Sequence, residues 1–150
     1  MKTLTLFKLI LLAPIFLHQS YSVAEEMYGC SYEKLDHVQY SSCLSSKYKE
    51  VDVLLKTKMD QLLGNAMIVD VGVDQPKLIK RIRHDLINAL RQSDTQWRAL
   101  LDTECSKLVV FSYGTGSYAD IGMLECRISL TNNRLKYISV SDPYAWLEKK

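Results

Sequence analysis

Four cysteines, Cys30, Cys43, Cys105 and Cys126, constrain this 150-residue chain more than any other feature, because of what precedes them. Residues 1–24 begin with a basic start at Lys2 and Lys8, pass through the apolar run Leu9 to Leu17 and end in small residues, the pattern of a secretory signal peptide. Cleavage is expected after Ser22 or Ala24, with Ala24 preferred, and residues 25–150 are expected to form a single helical domain. The apolar run is far short of the roughly 20 residues that span a bilayer, so no membrane insertion is expected after cleavage. No cysteine follows the run directly, which argues against a lipid anchor. An even cysteine count in an oxidising compartment implies two disulfides. Three pairings are open. Sequence neighbours close the shorter loops, which favours Cys30–Cys43 and Cys105–Cys126, each contributing about 3 kcal/mol in the loop-entropy picture. The chain contains no C-x-x-C pair, and only His37 and His84 lie beyond the signal, so zinc spacing is missing and no metal site is expected.

Between the cysteines the dominant pattern is helical. From His37 to Leu63, apolar residues such as Leu44, Val51, Leu55, Met59 and Leu62 recur three or four apart. Asp36 is a suitable N-cap and Gly64-Asn65 a stop signal, giving a helix of roughly 40 Å. Residues 65–75 read as a connection in which the chain reverses. Pro76 then opens a second long helix, capped by Asp74 or Gln75, with a stripe through Leu78, Ile82, Leu86, Leu90, Trp97 and Leu101 that ends near Ser106. Residues 107–122 lose the helical period and hold Gly114, Gly116 and Gly122, so a structured loop is expected. A third helix follows from about Met123, and Pro143 closes off further helix. The tail carries Tyr144, Trp146 and Leu147 and is expected to pack on the bundle. The expected fold is all-α: a disulfide-bonded helical bundle built on two long antiparallel helices, with a glycine-containing loop and a third helix.

Charge narrows the function classes. Removing Lys2 and Lys8 leaves as many basic as acidic residues, which argues against sequence-blind nucleic-acid binding. The polar face of the second helix begins with Lys77, Lys80, Arg81, Arg83 and His84 and continues through Arg91 and Arg98. Interleaved Asp85, Asp94 and Asp102 suit a solvated face, and a patch for an acidic partner is the alternative. No nucleophile elbow, zinc-hydrolase motif or lysine-bearing phosphate loop is present, so no catalytic residue and no cofactor are assigned. His37 and His84 read as surface or cap histidines.

One set of residues does point to a family. Gln96-Trp97, Asp102, Cys105, the loop with Gly114, Gly116 and Ser117, then Cys126, Leu130, Thr131 and Arg134, preceded by Cys30, Cys43, Asp52 and Leu55, resembles the LprI-like lysozyme inhibitors, small exported bacterial proteins, over about residues 30–138. Lys56 stands where the family usually has asparagine, Met59 where it usually has tyrosine, and Gly114-Thr115-Gly116-Ser117 replaces a tighter Gly-Gly-Ser. The resemblance implies a disulfide-bonded helical domain whose named members block lysozyme. Trp97 is expected to be structural because it continues the Leu86, Leu90 stripe, and Arg134 to pair with Asp102 or cap a helix. The segment Tyr113, Gly114, Thr115, Gly116, Ser117 and Tyr118 is the expected partner-binding site, since an aromatic, glycine-rich loop held at its ends by a disulfide is preorganised to enter a cleft. The expected partner is a peptidoglycan-cleaving enzyme, either a lysozyme or a rival's wall-degrading effector. A periplasmic or secreted location follows, and an envelope interaction module without inhibitory action is the alternative.

Overall fold

The computed structural model describes residues 29–70, 72, 74–109, 111 and 118–140. The expected signal peptide, the loop positions Tyr113 to Ser117 and the tail from Ser141 lie outside the described residues. Three helices account for the fold: α1 (His37–Ile68), α2 (Pro76–Asp102), which runs directly into a π-helical turn (Thr103–Leu108), and α3 (Ala119–Val140). No strand occurs among the described residues.

Each helix starts for a local reason. At α1 the Gln39 N–H donates to the Asp36 carboxylate at 2.9 Å, while the Asp36 N–H donates to Gln39 Oε1 at 3.2 Å, a reciprocal capping box that satisfies two otherwise orphaned donors. Pro76 opens α2 with its ring already at a helical φ. The expected stop at Gly64-Asn65 does not operate, and α1 continues to Ile68. An interior glycine costs only about 1 kcal/mol against alanine. Beyond it, Ala66 and Val69 are buried against Leu62, so packing outweighs the break. The C-terminal carbonyls of α1 are capped by Arg83 of α2, whose guanidinium donates to Val69 O at 2.9 and 3.0 Å and to Ile68 O at 3.4 Å. Gly72, at φ +66°, supplies the left-handed residue in the reversal. The third helix also starts earlier than expected, at Ala119 rather than Met123, because Ile121 and Gly122 are already buried.

Cross-helix pairs establish the directions. Asp52 meets Arg98, and Val69 meets Arg83, so α1 and α2 are antiparallel. Asp120 meets Ser41, Arg127 lies over Tyr48, and Ile138 packs in the cluster of Met59 and Leu62, so α3 runs parallel to α1. The described residues therefore form an up-down-up three-helix bundle. Its interior holds two apolar clusters. One, around Leu55, Met59, Leu62, Leu90 and Ile138, lies toward the α1–α2 connection; the other, around Cys30, Tyr40, Leu44, Ile121 and Ile128, lies toward the opposite end. Burying each of these leucines and isoleucines contributes roughly 1.5–3 kcal/mol.

Both disulfides sit at that opposite end. Cys30–Cys43 ties the segment before α1 to its second turn, and Cys105–Cys126 ties the π-helical turn to α3. These are the two neighbour pairings that short loops favour.

Candidate functional site

The disulfide-bonded end is where the expected binding segment begins and ends. Tyr118, the one position of that segment among the described residues, is more than half exposed, and its carbonyl accepts from Gly122 N–H at 3.1 Å in the first turn of α3. Its ring meets the His37 ring edge-on at 5.5 Å, and a hydrogen bond with its side chain raises the Tyr32 pKa above the ordinary tyrosine value. Tyr32 in turn stands edge-on to Tyr40 at 5.1 Å, and the Tyr40 hydroxyl donates to Glu125 at 2.9 Å. Four aromatic rings thus run from the surface at Tyr118 and Tyr32 into the core at Tyr40. Edge-to-face contacts of this kind contribute about 0.5–1.5 kcal/mol each beyond burial, so Tyr118 is held in place rather than merely exposed.

Asp120 ties this cluster to α1. It accepts from Ser41 Oγ at 2.8 Å and stands 3.4 Å from His37 Nε2. Partial burial pushes its pKa up, but the Ser41 hydroxyl, the Ile121 N–H and the His37 ring together hold the carboxyl below the ordinary aspartate value. Ser, His and Asp are all present here, yet the Ser41 proton goes to Asp120 and not to His37. That is not the order of a nucleophilic relay, in which the serine must donate to the histidine. The trio fastens α3 to α1. Among the described residues, no three of His, Cys, Asp and Glu gather as a metal-holding group.

The other flank of the same end is apolar. Phe111 is 86% exposed, and Leu100 and Leu108 are about half exposed. Beside them, Glu104, Leu108, Val109, Cys126, Ser129 and Leu130 line an open groove of about 310 Å³ behind the second disulfide. The expected site started at Tyr113 and so omitted Phe111 and Tyr32. The signal that finds Phe111 is an aromatic residue beyond the last helical stripe position, Leu101. Tyr32 had no such marker, because its place depends on the Cys30–Cys43 bond.

The residues assigned structural roles occupy the middle of the bundle. Trp97 is half-buried against the first cluster, as its stripe predicts. Arg134 does not pair with Asp102. It donates to Ser93 Oγ at 2.6 Å and lies between the rings of Trp97 and Tyr137, at 5.9 and 5.8 Å. Asp102 is met instead by Arg127 at 3.5 Å, which also donates to Ser106 Oγ at 2.6 Å and lies over Tyr48. The reason is helical register: Arg127, near the start of α3, is level with the end of α2, whereas Arg134 is two turns further along. Arg98, although 40% exposed, is held in ion pairs rather than left free on the polar face. It bridges Asp94 at 3.0 Å and Asp52 at 3.2 Å, and although partial burial lowers its pKa, the two carboxylates more than restore it.

Among the described residues, no helix is long and apolar enough to cross a membrane. No curated protein and no solved structure matches the chain. Residues 30–138 match the family described as lysozyme inhibitor LprI, a stretch that begins at the first disulfide cysteine and ends at Ile138 in the core of α3. The all-α, doubly disulfide-bonded bundle is the fold that the residue pattern implied, and with this match over most of its length the chain belongs to the LprI lysozyme-inhibitor family.

Proposed function

We propose that this protein is exported to the periplasm or beyond and inhibits a peptidoglycan-cleaving enzyme by occluding its substrate cleft with the disulfide-bonded end, without chemistry of its own. The observation that carries the proposal is the exposed aromatic rim at that end. Tyr118 and Phe111 flank the Tyr113–Ser117 segment on either side, and both stand on backbone pinned by Cys105–Cys126. Rigid aromatic side chains lose little entropy on binding and supply most of the energy in protein interfaces. The same end carries nine Asp and Glu against six Lys and Arg, a small acidic excess that suits the positive surface of an enzyme that must work on an anionic wall. Either a host lysozyme or a competitor's wall-hydrolase effector satisfies these terms. In the second case the protein serves as an immunity factor.

The test is titration of the purified, oxidised protein into wall-lysis assays driven by several lysozymes and wall hydrolases, with Tyr118→Ala and Phe111→Ala beside the wild type. Near-stoichiometric loss of lysis by one enzyme class is expected. Each variant should raise the inhibition constant at least about tenfold, the cost of a modest hot spot, while the thermal midpoint moves by only a few degrees. Inhibition that survives both substitutions unchanged overturns the assignment of this end. Absence of inhibition across the whole panel favours an envelope interaction module instead.

A further inference from the structure

The charge of the chain is unevenly divided. Residues 29–52, 94–111 and 118–130, which build the disulfide-bonded end, contain nine Asp and Glu and six Lys and Arg. Residues 53–93 and 131–140, which build the other end, contain nine Lys and Arg and four Asp and Glu. The excess concentrates on α2, where Lys77, Lys80, Arg81, His84 and Arg91 are all exposed. At 100° per residue they fall within about 100° of arc on one side of the helix. Asp85, 3.9 Å from Arg81 and 3.6 Å from His84, and the exposed Asp70 and Asp74 of the α1–α2 connection offset part of this charge, leaving Lys77, Lys80 and Arg81 as the basic cluster at the tip of the bundle.

Stability does not account for this placement. Lys77, Lys80 and Arg81 occupy the start of α2, where the helix dipole is positive, and its first turn holds no acidic residue. Helix energetics favour Asp or Glu there. The same end also exposes apolar side chains: Met67 and Ile68 close α1, Leu78 stands in the first turn of α2, and Val140 closes α3. Arg83 fastens the α1 terminus to α2, which brings these residues to one end of the bundle.

We propose that this end docks on an anionic phospholipid surface, with Lys77, Lys80 and Arg81 meeting headgroup phosphates and Ile68, Leu78 and Val140 reaching the headgroup–acyl boundary. Clustered cations around exposed apolar groups are the chemistry of interfacial binding without insertion. Charge complementarity selects the lipid: a neutral bilayer offers the apolar residues too little area to hold the protein. Docked in this way, α2, about 40 Å long, holds the aromatic end away from the bilayer. The proposal is independent of the inhibitory reading.

Sedimentation of the purified, oxidised protein with phosphatidylglycerol/phosphatidylcholine vesicles, against phosphatidylcholine alone, tests it. Binding to the anionic vesicles only is expected, weakening as salt rises. Each basic residue near such a surface is worth roughly fivefold, so Lys77→Glu/Lys80→Glu/Arg81→Glu should weaken binding by on the order of a hundredfold or more. That variant improves the match to the helix dipole, so its thermal midpoint should not fall, and its inhibition of a soluble enzyme should not change. A second triple variant, Lys47→Glu/Lys49→Glu/Lys107→Glu, changes net charge equally at the opposite end and should still bind. No binding to anionic vesicles, equal binding to neutral ones, or equal loss in both triple variants overturns the proposal. So does a salt-insensitive dimer formed through this end in place of vesicle binding.

Discussion

Arg83 shows how one side chain can do what local sequence did not provide. The last turn of α1 has no basic residue to meet its carbonyls, and the guanidinium of a different helix supplies three hydrogen bonds to two of them. Arg83→Met keeps the aliphatic stem and deletes the bonds. It should lower unfolding stability by about 1–3 kcal/mol, read as a lower urea midpoint with an unchanged m-value. Asp120 gives a pH-dependent counterpart. Its folded pKa lies below its unfolded value, so the ionised carboxylate contributes stability that is present above about pH 4 and is lost as the pH falls through the folded pKa. Ser41→Ala removes the hydroxyl that opposes the burial effect. The Asp120 titration followed by NMR should then shift upward, and acid unfolding should begin at a higher pH. His37 could be read from sequence only as a surface or cap residue, because its partner Asp120 lies 83 positions away.

At the scale of elements, the helix starts were the most legible features. A capping box or a proline acts within one turn, and both Asp36 and Pro76 stand where the sequence placed them. Ends were less legible. Gly64-Asn65 carries a stop signal, yet the Cβ of an alanine at 64 would meet nothing within 4 Å, and Leu62 and Ala66 on either side are fully buried. Gly64→Ala should therefore stabilise the protein by about 0.5–1 kcal/mol, raising the thermal midpoint by a few degrees in calorimetry. The transition from α2 into a π-helical turn carries Cys105, fully buried, toward Cys126. Nothing in the apolar period announces that turn, because it serves a contact with α3 rather than a local preference. Such π segments recur where a helix is bent toward function, and this one leads directly to Phe111.

For the whole molecule, topology separates the two ends. Both disulfides, the aromatic rim and the acidic excess share one end, while the basic excess lies toward the other; exposed apolar side chains occur at both. Cys105→Ser/Cys126→Ser should lower stability by about 3 kcal/mol while leaving most of the helical circular dichroism intact, since the two core clusters hold the remaining contacts. On the proposed inhibitory reading, inhibition should fall further than in a variant destabilised equally in the cluster around Met59 and Leu62, because the backbone that carries Phe111 and Tyr118 loses its covalent tie. Sequence alone determined the helical class, the two long helices and the family, and favoured the neighbour disulfides without excluding the other two pairings, since periodicity, caps, loop length and residue order are all local or counted along the chain. Tertiary structure alone decided that α3 runs parallel to α1, that Arg127 rather than Arg134 meets Asp102, that Tyr32 and Phe111 join Tyr118 at one end, and that the basic and acidic residues are unevenly divided between the two ends. Those outcomes depend on the axial register of three packed helices, which arises only when their apolar faces meet.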